Sequence, residues 1–196
     1  FISQMVVADR TLSRAEEAVT RVKDSRFSAA EVNAAELEDL RSLIRKVKPD
    51  VVINAVDPRF VMPIFLACEI ENTNYIDMAM SLSRPHPHYP NSETGVKLGD
   101  EQFARDWNWG ERQIYALVGM GIEPGMSDVF ARYAEDHLFS RIDSLTIFDG
   151  SNLTVEGYDF APSFSIWTTI EECLNPPLVW EDGRGWYTTE PFSEIE

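Results

Sequence analysis

The sequence predicts an α/β protein: a doubly wound parallel sheet that lacks its first strand, followed by the start of an α+β domain. Three observations point there. From Met5 to Met120, short apolar runs alternate with amphipathic helical stretches, the order that parallel strands with helical crossovers require. One run, Val51-Val52-Ile53-Asn54-Ala55-Val56, is almost wholly apolar, as a strand buried on both faces must be. After Pro124-Gly125 the texture changes to alternating and aromatic-rich stretches that suggest an antiparallel or mixed sheet.

Each element has its own signal. Residues 4–9 are a β-branched apolar run ending in Asp9. Residues 12–24 place Leu12, Ala15, Ala18, Val19 and Val22 on one helical stripe, with Thr11 or Ser13 as N-cap. Residues 27–33 form a short strand. Residues 35–48 repeat Leu37, Leu40, Leu43, Ile44 and Val47 at helical spacing and stop at Pro49-Asp50. After the apolar strand, residues 62–71 form a helix that tolerates Pro63 near its start. Residues 74–78 are a strand and 81–99 a loop rich in Pro, Ser, Gly and His. Residues 101–112 read as one helix and 115–120 as a strand. Beyond them come a helix over 126–138 and a strand over 142–149. A helix over 164–174 stops at Asn175-Pro176-Pro177. A hairpin follows, turning at Asp182-Gly183-Arg184-Gly185; residues 151–160 are ambiguous. The domain boundary falls near residue 122, giving 1–122 and 123–196.

The chain's 196 residues suffice for one sizeable core or two small ones. Seventeen basic against 33 acidic residues give a formal charge of −16, which disfavours binding to a phosphate backbone, so no nucleic-acid partner is expected. No run approaches the roughly 18 apolar residues of a membrane span, so no membrane partner is expected either. Cys68 and Cys173 lie in helical, apolar contexts that suggest a reducing, cytoplasmic compartment rather than a disulfide framework. Three histidines offer no zinc spacing, and His86-Pro87-His88 reads as a proline loop.

Chemistry is expected where strands end. Asp9, closing a strand, can accept both hydroxyls of an adenosine ribose, while Arg10 can stack on adenine or pair with a 2′-phosphate. The pair leaves NAD and NADP open, tilted to NAD. Asn33, after the next strand, can bond the adenine amino group. Asn54, Ala55 and Val56 end a buried strand in small residues, allowing a cofactor to approach the backbone. Asp77 ends the next strand and can hold the nicotinamide ribose or act as an acid/base. In Gly119-Met120-Gly121-Ile122-Glu123-Pro124-Gly125-Met126-Ser127-Asp128, glycines tighten a strand-to-helix turn, and Ser127 and Asp128 sit in the first helical turn. That turn suits an anion such as a substrate carboxylate. Tyr158 to Trp167 supplies either core or a pocket wall.

In order and spacing these stretches resemble the saccharopine dehydrogenase family. VVADRTLSRAEE is similar to its second strand and helix. KPDVVINAVDPRFVMPIFLACEIENTNYIDMAMS is similar to its fourth strand, the next helix and the Y-[IV]-D strand. LVGMGIEPGMSDVFARYA is similar to its glycine, acid, proline, glycine turn, and FSIWTTIEECLNP to a catalytic-domain helix. The resemblance implies an incomplete Rossmann domain and NAD(P)-dependent oxidoreduction at the C–N bond of an amino acid or amine, in a homodimer. It implies Asp9 and Arg10 at the adenosine ribose, Asn33 at adenine, Asn54, Ala55 and Val56 at the cofactor's centre, and Asp77 near the nicotinamide. Glu123, Gly125, Ser127, Asp128 and Trp167 would bind substrate. The alternative of a different class is a regulatory dinucleotide-binding protein without chemistry. The family's Gly-x-Gly-x-x-Gly loop is absent from the sequence, and Asp9 has eight residues before it instead of the approximately 20 expected after that loop. A fragment truncated at both ends, inactive alone, is therefore expected. Ser127-Asp128 stands where saccharopine reductases usually carry an acid and a His, which leaves the substrate open.

Overall fold

The computed structural model describes residues 2–148, 154–159, 161 and 166–193; for residues 167, 168, 171 and 172 it describes the backbone only. The chain divides into two compact units. The first comprises Phe1–Leu82 and Gly99–Asp128, the second Ser83–Leu98 and Val129–Glu196.

Two parallel sheets build the first unit. Strand β1 (Met5–Asp9) pairs with β2 (Phe27–Glu31) in a register that sets Met5 against Phe27 and Asp9 against Glu31. Helix α1 (Leu12–Val22) connects them and packs on both, burying Ala15 and half-burying Val19. Thr11 occupies the N-cap position without a side-chain bond; its carbonyl takes the Arg14 N–H at 2.9 Å, and Asp9 Oδ1 takes the N–H of Thr11 itself. Helix α2 (Leu37–Val47) buries Leu40 and Ile44 and ends at Lys48, a left-handed residue at φ 51° whose N–H bonds the Ile44 carbonyl at 2.7 Å. Pro49 follows and cannot continue the helix.

The second sheet runs β3 (Val51–Asn54), β4 (Asn74–Asp77), β5 (Ala116–Leu117), all parallel. Helix α3 (Val61–Ile70) links β3 to β4 and buries Val61, Ile64, Phe65, Ala67, Cys68 and Glu69. Tyr75 sits opposite Val52 and Ala116, and this face lies in the core with Leu40, Ile44, Phe65 and Trp109. Phe65 meets Tyr75 edge-on at 5.3 Å and Trp109 at 4.6 Å between ring centroids. The alternate residues show the sheet's other side: Val51, Ile53 and Leu117 are 38%, 49% and 51% exposed, against the two covered faces typical of parallel sheets.

The helix expected over 101–112 is two: α4 (Asp100–Phe103) and α5 (Asp106–Glu111). The break falls at Arg105, whose guanidinium grips the buried Glu69 carboxylate at 2.5 and 2.8 Å. That pairing and Asn108 hold Glu69 below the usual carboxylate range. The strand expected over 115–120 keeps only two residues, because Gly119 turns away at φ 67°.

The second unit holds helix α7 (Ile166–Leu174) and an antiparallel hairpin of β6 (Leu178–Glu181) and β7 (Gly185–Thr188), with Gly183 at φ 79° in its turn. Thr188 Oγ1 donates to the carbonyls of Pro90 and Glu93 at 2.7 and 3.1 Å, tying the hairpin to the loop 83–98. Helix α6 (Met126–His137) precedes α7 and spans the division between the units. Residues 142–148 are irregular rather than a strand: alternation needs a paired neighbour to become a strand, and among the described residues none pairs there. Residue 149 and much of the stretch 151–165 lie outside the described residues. No helix among the described residues is long and apolar enough to cross a membrane. Cys68 is buried and Cys173 exposed, and both thiols are free. Burial pushes the Cys68 thiol up to about 12.

Candidate functional site

Parallel pairing carries the ends of neighbouring strands to one edge of each sheet: Asp9 and Asn33 lie by that edge of the first sheet, Asn54 and Asp77 at that of the second. Asp9 is half-buried and its Oδ1 accepts the Thr11 N–H at 2.7 Å. Its other oxygen has no partner among the described residues. Arg10 beside it is exposed. The Val32 N–H donates to the Asp9 carbonyl at 3.0 Å, so the chain leaving β2 runs along the end of β1. Asn33 comes next, half-buried, its Oδ1 accepting the Ala35 N–H at 3.2 Å. Asp9, Arg10 and Asn33 thus share one edge.

At the end of β3, Asn54 is buried and its Oδ1 accepts the Val56 N–H at 3.2 Å, while Ala55 and Val56 are exposed. Asp57 closes the turn by accepting the Arg59 N–H at 3.0 Å and pairing with its guanidinium at 2.9 Å, which keeps the Asp57 carboxyl below its ordinary range. Ala55 and Val56 are therefore exposed on a turn that the Asn54 and Asp57 side chains hold.

Asp77 differs from every other expected residue. It is 0% exposed and accepts three hydrogen bonds. The Tyr75 hydroxyl and Gln102 Nε2 donate to Oδ2 at 2.9 and 2.7 Å, and the Gly119 N–H donates to Oδ1 at 2.7 Å. The chain extends both ways. Asn54 Nδ2 donates to the Tyr75 hydroxyl at 2.8 Å, and Gln102 Oε1 accepts the Ser81 N–H at 2.7 Å. Burial, above all, pushes the Tyr75 phenol well above its ordinary value. Tyr75 entered the sequence reading only as the tyrosine of the Y-[IV]-D strand, without a role of its own, and nothing in the helical pattern around Gln102 marks it as buried.

The glycine turn is seated on this cluster. The Met120 N–H donates to the Asp77 carbonyl at 2.8 Å. Gly125 lies at φ 129°, and a Cβ there would stand 2.4 Å from the Gly121 carbonyl oxygen, so only glycine fits. Asp128 Oδ2 accepts the Gly125 N–H at 3.0 Å, reaching back to cap the first turn of α6. Ser127 Oγ is buried without a partner among the described residues, and Glu123 is exposed. Trp167 lies on α7, but its side chain is outside the described set. Arg84 is exposed in the loop 83–98, where its backbone pairs with Val96 at 2.8 Å.

Comparison with known proteins agrees with this architecture. A carboxynorspermidine synthase from Vibrio alginolyticus is 32% identical over 93% of this chain and 45% of its own length. A carboxyaminopropylagmatine dehydrogenase from Synechocystis sp. is 25% identical over 97% of this chain and 46% of its own. The chain spans about half the length of the curated relatives it matches. Among solved structures, apo saccharopine dehydrogenase (L-Glu forming) from Saccharomyces cerevisiae superposes with a TM-score of 0.51 at 16% identity, covering 69% of this chain and 25% of that one, a likeness of fold. The profile of the family described as Saccharopine dehydrogenase NADP binding domain matches residues 1–117, and the chain belongs to the saccharopine dehydrogenase family.

Proposed function

We propose that the protein is an NAD(P)-dependent oxidoreductase acting on the C–N bond of an amine or amino acid that carries a carboxyl arm. One observation carries the reading: Asp9, Arg10 and Asn33 share a sheet edge, in a domain whose family binds NADP. Residues 1–122 are assigned to the nucleotide-binding domain and residues 123–196 to the substrate domain.

The donor set fits the adenosine half of a dinucleotide. The unpartnered Asp9 oxygen accepts ribose hydroxyls, Arg10 lies against adenine or a 2′-phosphate, and Asn33 bonds the adenine edge. The exposed turn at Ala55 and Val56, held by Asn54, passes the cofactor's centre. When bound, the nicotinamide gives or takes the hydride at the carbon of an imine or amine. Glu123, Gly125, Ser127, Asp128 and Trp167 are assigned to the substrate. Ser127 Oγ, buried and without a partner among the described residues, can donate to a carboxylate there. Asp77 was expected as a nicotinamide-ribose ligand and acid/base. Its burial and its three donors support a positioning role instead.

The names of two relatives, carboxynorspermidine synthase and carboxyaminopropylagmatine dehydrogenase, favour carboxylated polyamines as the substrate class. A cytoplasmic homodimer completes the proposal: the free thiols favour the reducing compartment, and the dimer follows from the family resemblance. Titration calorimetry of the intact protein with NAD(H) and NADP(H) tests it. Binding of neither dinucleotide would overturn it. Binding without turnover of lysine, saccharopine or carboxylated polyamines, followed by reduced-cofactor absorbance, would favour a regulatory protein.

A further inference from the structure

We infer that Asn54, Tyr75, Asp77 and Gln102 form one buried positioning chain that locks the turn after β3 to the glycine turn after β5. Cofactor-side and substrate-side backbone are thereby set as a unit. The inference rests on the proposed oxidoreductase role of these two turns, but the chain itself is a matter of geometry.

The four side chains are each 4% exposed or less. Their hydrogen bonds run without a gap. The Val56 N–H is held by Asn54 Oδ1, Asn54 Nδ2 by the Tyr75 hydroxyl, and that hydroxyl by Asp77 Oδ2. Asp77 Oδ1 then holds the Gly119 N–H. Gln102 enters from α4 and fixes the carboxylate from the side, with its own oxygen satisfied by the Ser81 N–H. Direction is fixed at every step. Asp77 only accepts, so Tyr75 must donate to it, so Tyr75 must accept from Asn54, so Asn54 must offer its oxygen to Val56. Reversing one link would bury an unpaired donor or acceptor, which is costly in a dry interior.

The far end needs such a hold. Gly119 is left-handed at φ 67°, and a Cβ at Gly121 would stand 2.8 Å from the Met78 carbonyl oxygen. The Gly119 and Met120 N–H groups hold the turn to Asp77 at the end of β4, and the close approaches at its glycines leave little room for alternative paths. Displacement by about 1 Å at such a turn is enough to cost a large factor in rate. Asp77 is thus a positioning residue that acts through the backbone of residues 119–125.

Three variants of the intact protein test this: Tyr75→Phe and Gln102→Met, which keep shape, and Asp77→Asn. Circular dichroism at low temperature should show each folded. Hydrogen exchange should speed up at the Gly119 and Met120 amides by about tenfold or more, while the amides of β1 and β2 stay as in the parent. With cofactor and substrate, kcat/KM should fall about tenfold or more, with both limbs of its pH profile kept. Unchanged exchange in all three folded variants would overturn the inference. Loss of a pH limb in Asp77→Asn would also overturn it, by making Asp77 an acid/base. If the parent binds no dinucleotide, the oxidoreductase reading fails and exchange alone still decides the chain.

Discussion

Asp9 and Asp77 end parallel strands in the same compact unit, yet they meet opposite surroundings. Asp9 closes β1 half in solvent, with one backbone N–H on one oxygen. Asp77 closes β4 with no exposure and three donors converging on it. The sequence pattern is the same, an apolar run ending in an acid. An acid with a spare oxygen facing water is available to a ligand. An acid buried with three donors from within on its two oxygens is a joint of the scaffold. Position along a strand says where an acid sits, and only its neighbours say what it is for.

The contrast breaks most clearly at Asp77. Asp77→Ala leaves the Tyr75 hydroxyl, the Gln102 amide and the Gly119 N–H without an acceptor, and should destabilise the protein by about 3 kcal/mol or more in urea or thermal unfolding. A loss near that of an exposed acid would equate the two sites. Gly125→Ala should come next, at about 2 kcal/mol, because alanine at φ 129° meets the Gly121 carbonyl. A parent-like melting temperature would show that the turn can move.

A third test uses pH. Glu69, buried against Arg105, titrates below the ordinary carboxylate range. A carboxyl depressed on folding adds stability above its unfolded value, and that stability is lost as pH falls through the folded value. The parent should therefore lose stability on acidification below about pH 4, and Glu69→Gln should flatten that slope while starting less stable at neutral pH. Identical pH slopes for the two proteins would argue against the pair. The smallest change in stability is expected at Asp9. Asp9→Ala removes one part-exposed bond, about 0.5 kcal/mol, but should raise the dinucleotide Kd about tenfold in calorimetry. An unchanged Kd would remove Asp9 from the ribose site.

Much of this was legible in the residues. The spacing of Leu40 and Ile44 marked a helix whose buried face is now seen. Val51 to Val56 marked a parallel strand buried on both faces; the strand is there, but it lies at the edge of its sheet, where Val51 and Ile53 expose one face of it. Asp9, Asn33 and Asn54 lie at strand ends as spacing requires. What escaped was long-range. Nothing local announces that Gln102 reaches Asp77 across 25 positions, or that Arg105 breaks a helix where it reaches Glu69. At 142–148 the pattern misled, because alternation reports a surface with two sides and not the presence of a partner. The Y-[IV]-D strand pointed at its acid, whereas the tyrosine does two things the pattern does not announce: its ring packs in the core and its hydroxyl links Asn54 to Asp77.

The two free thiols make the protein its own unfolding gauge. Cys173 stands in the open, whereas Cys68 is enclosed and hard to ionise. A thiol-specific dye should therefore label the native chain once at speed, and the second label should be taken up only when α3 opens. Counting labels against time reports how often the core between α2, α3 and β4 breathes, with no engineered probe. The same count, taken on each variant above, separates those that loosen the core from those that only empty the site.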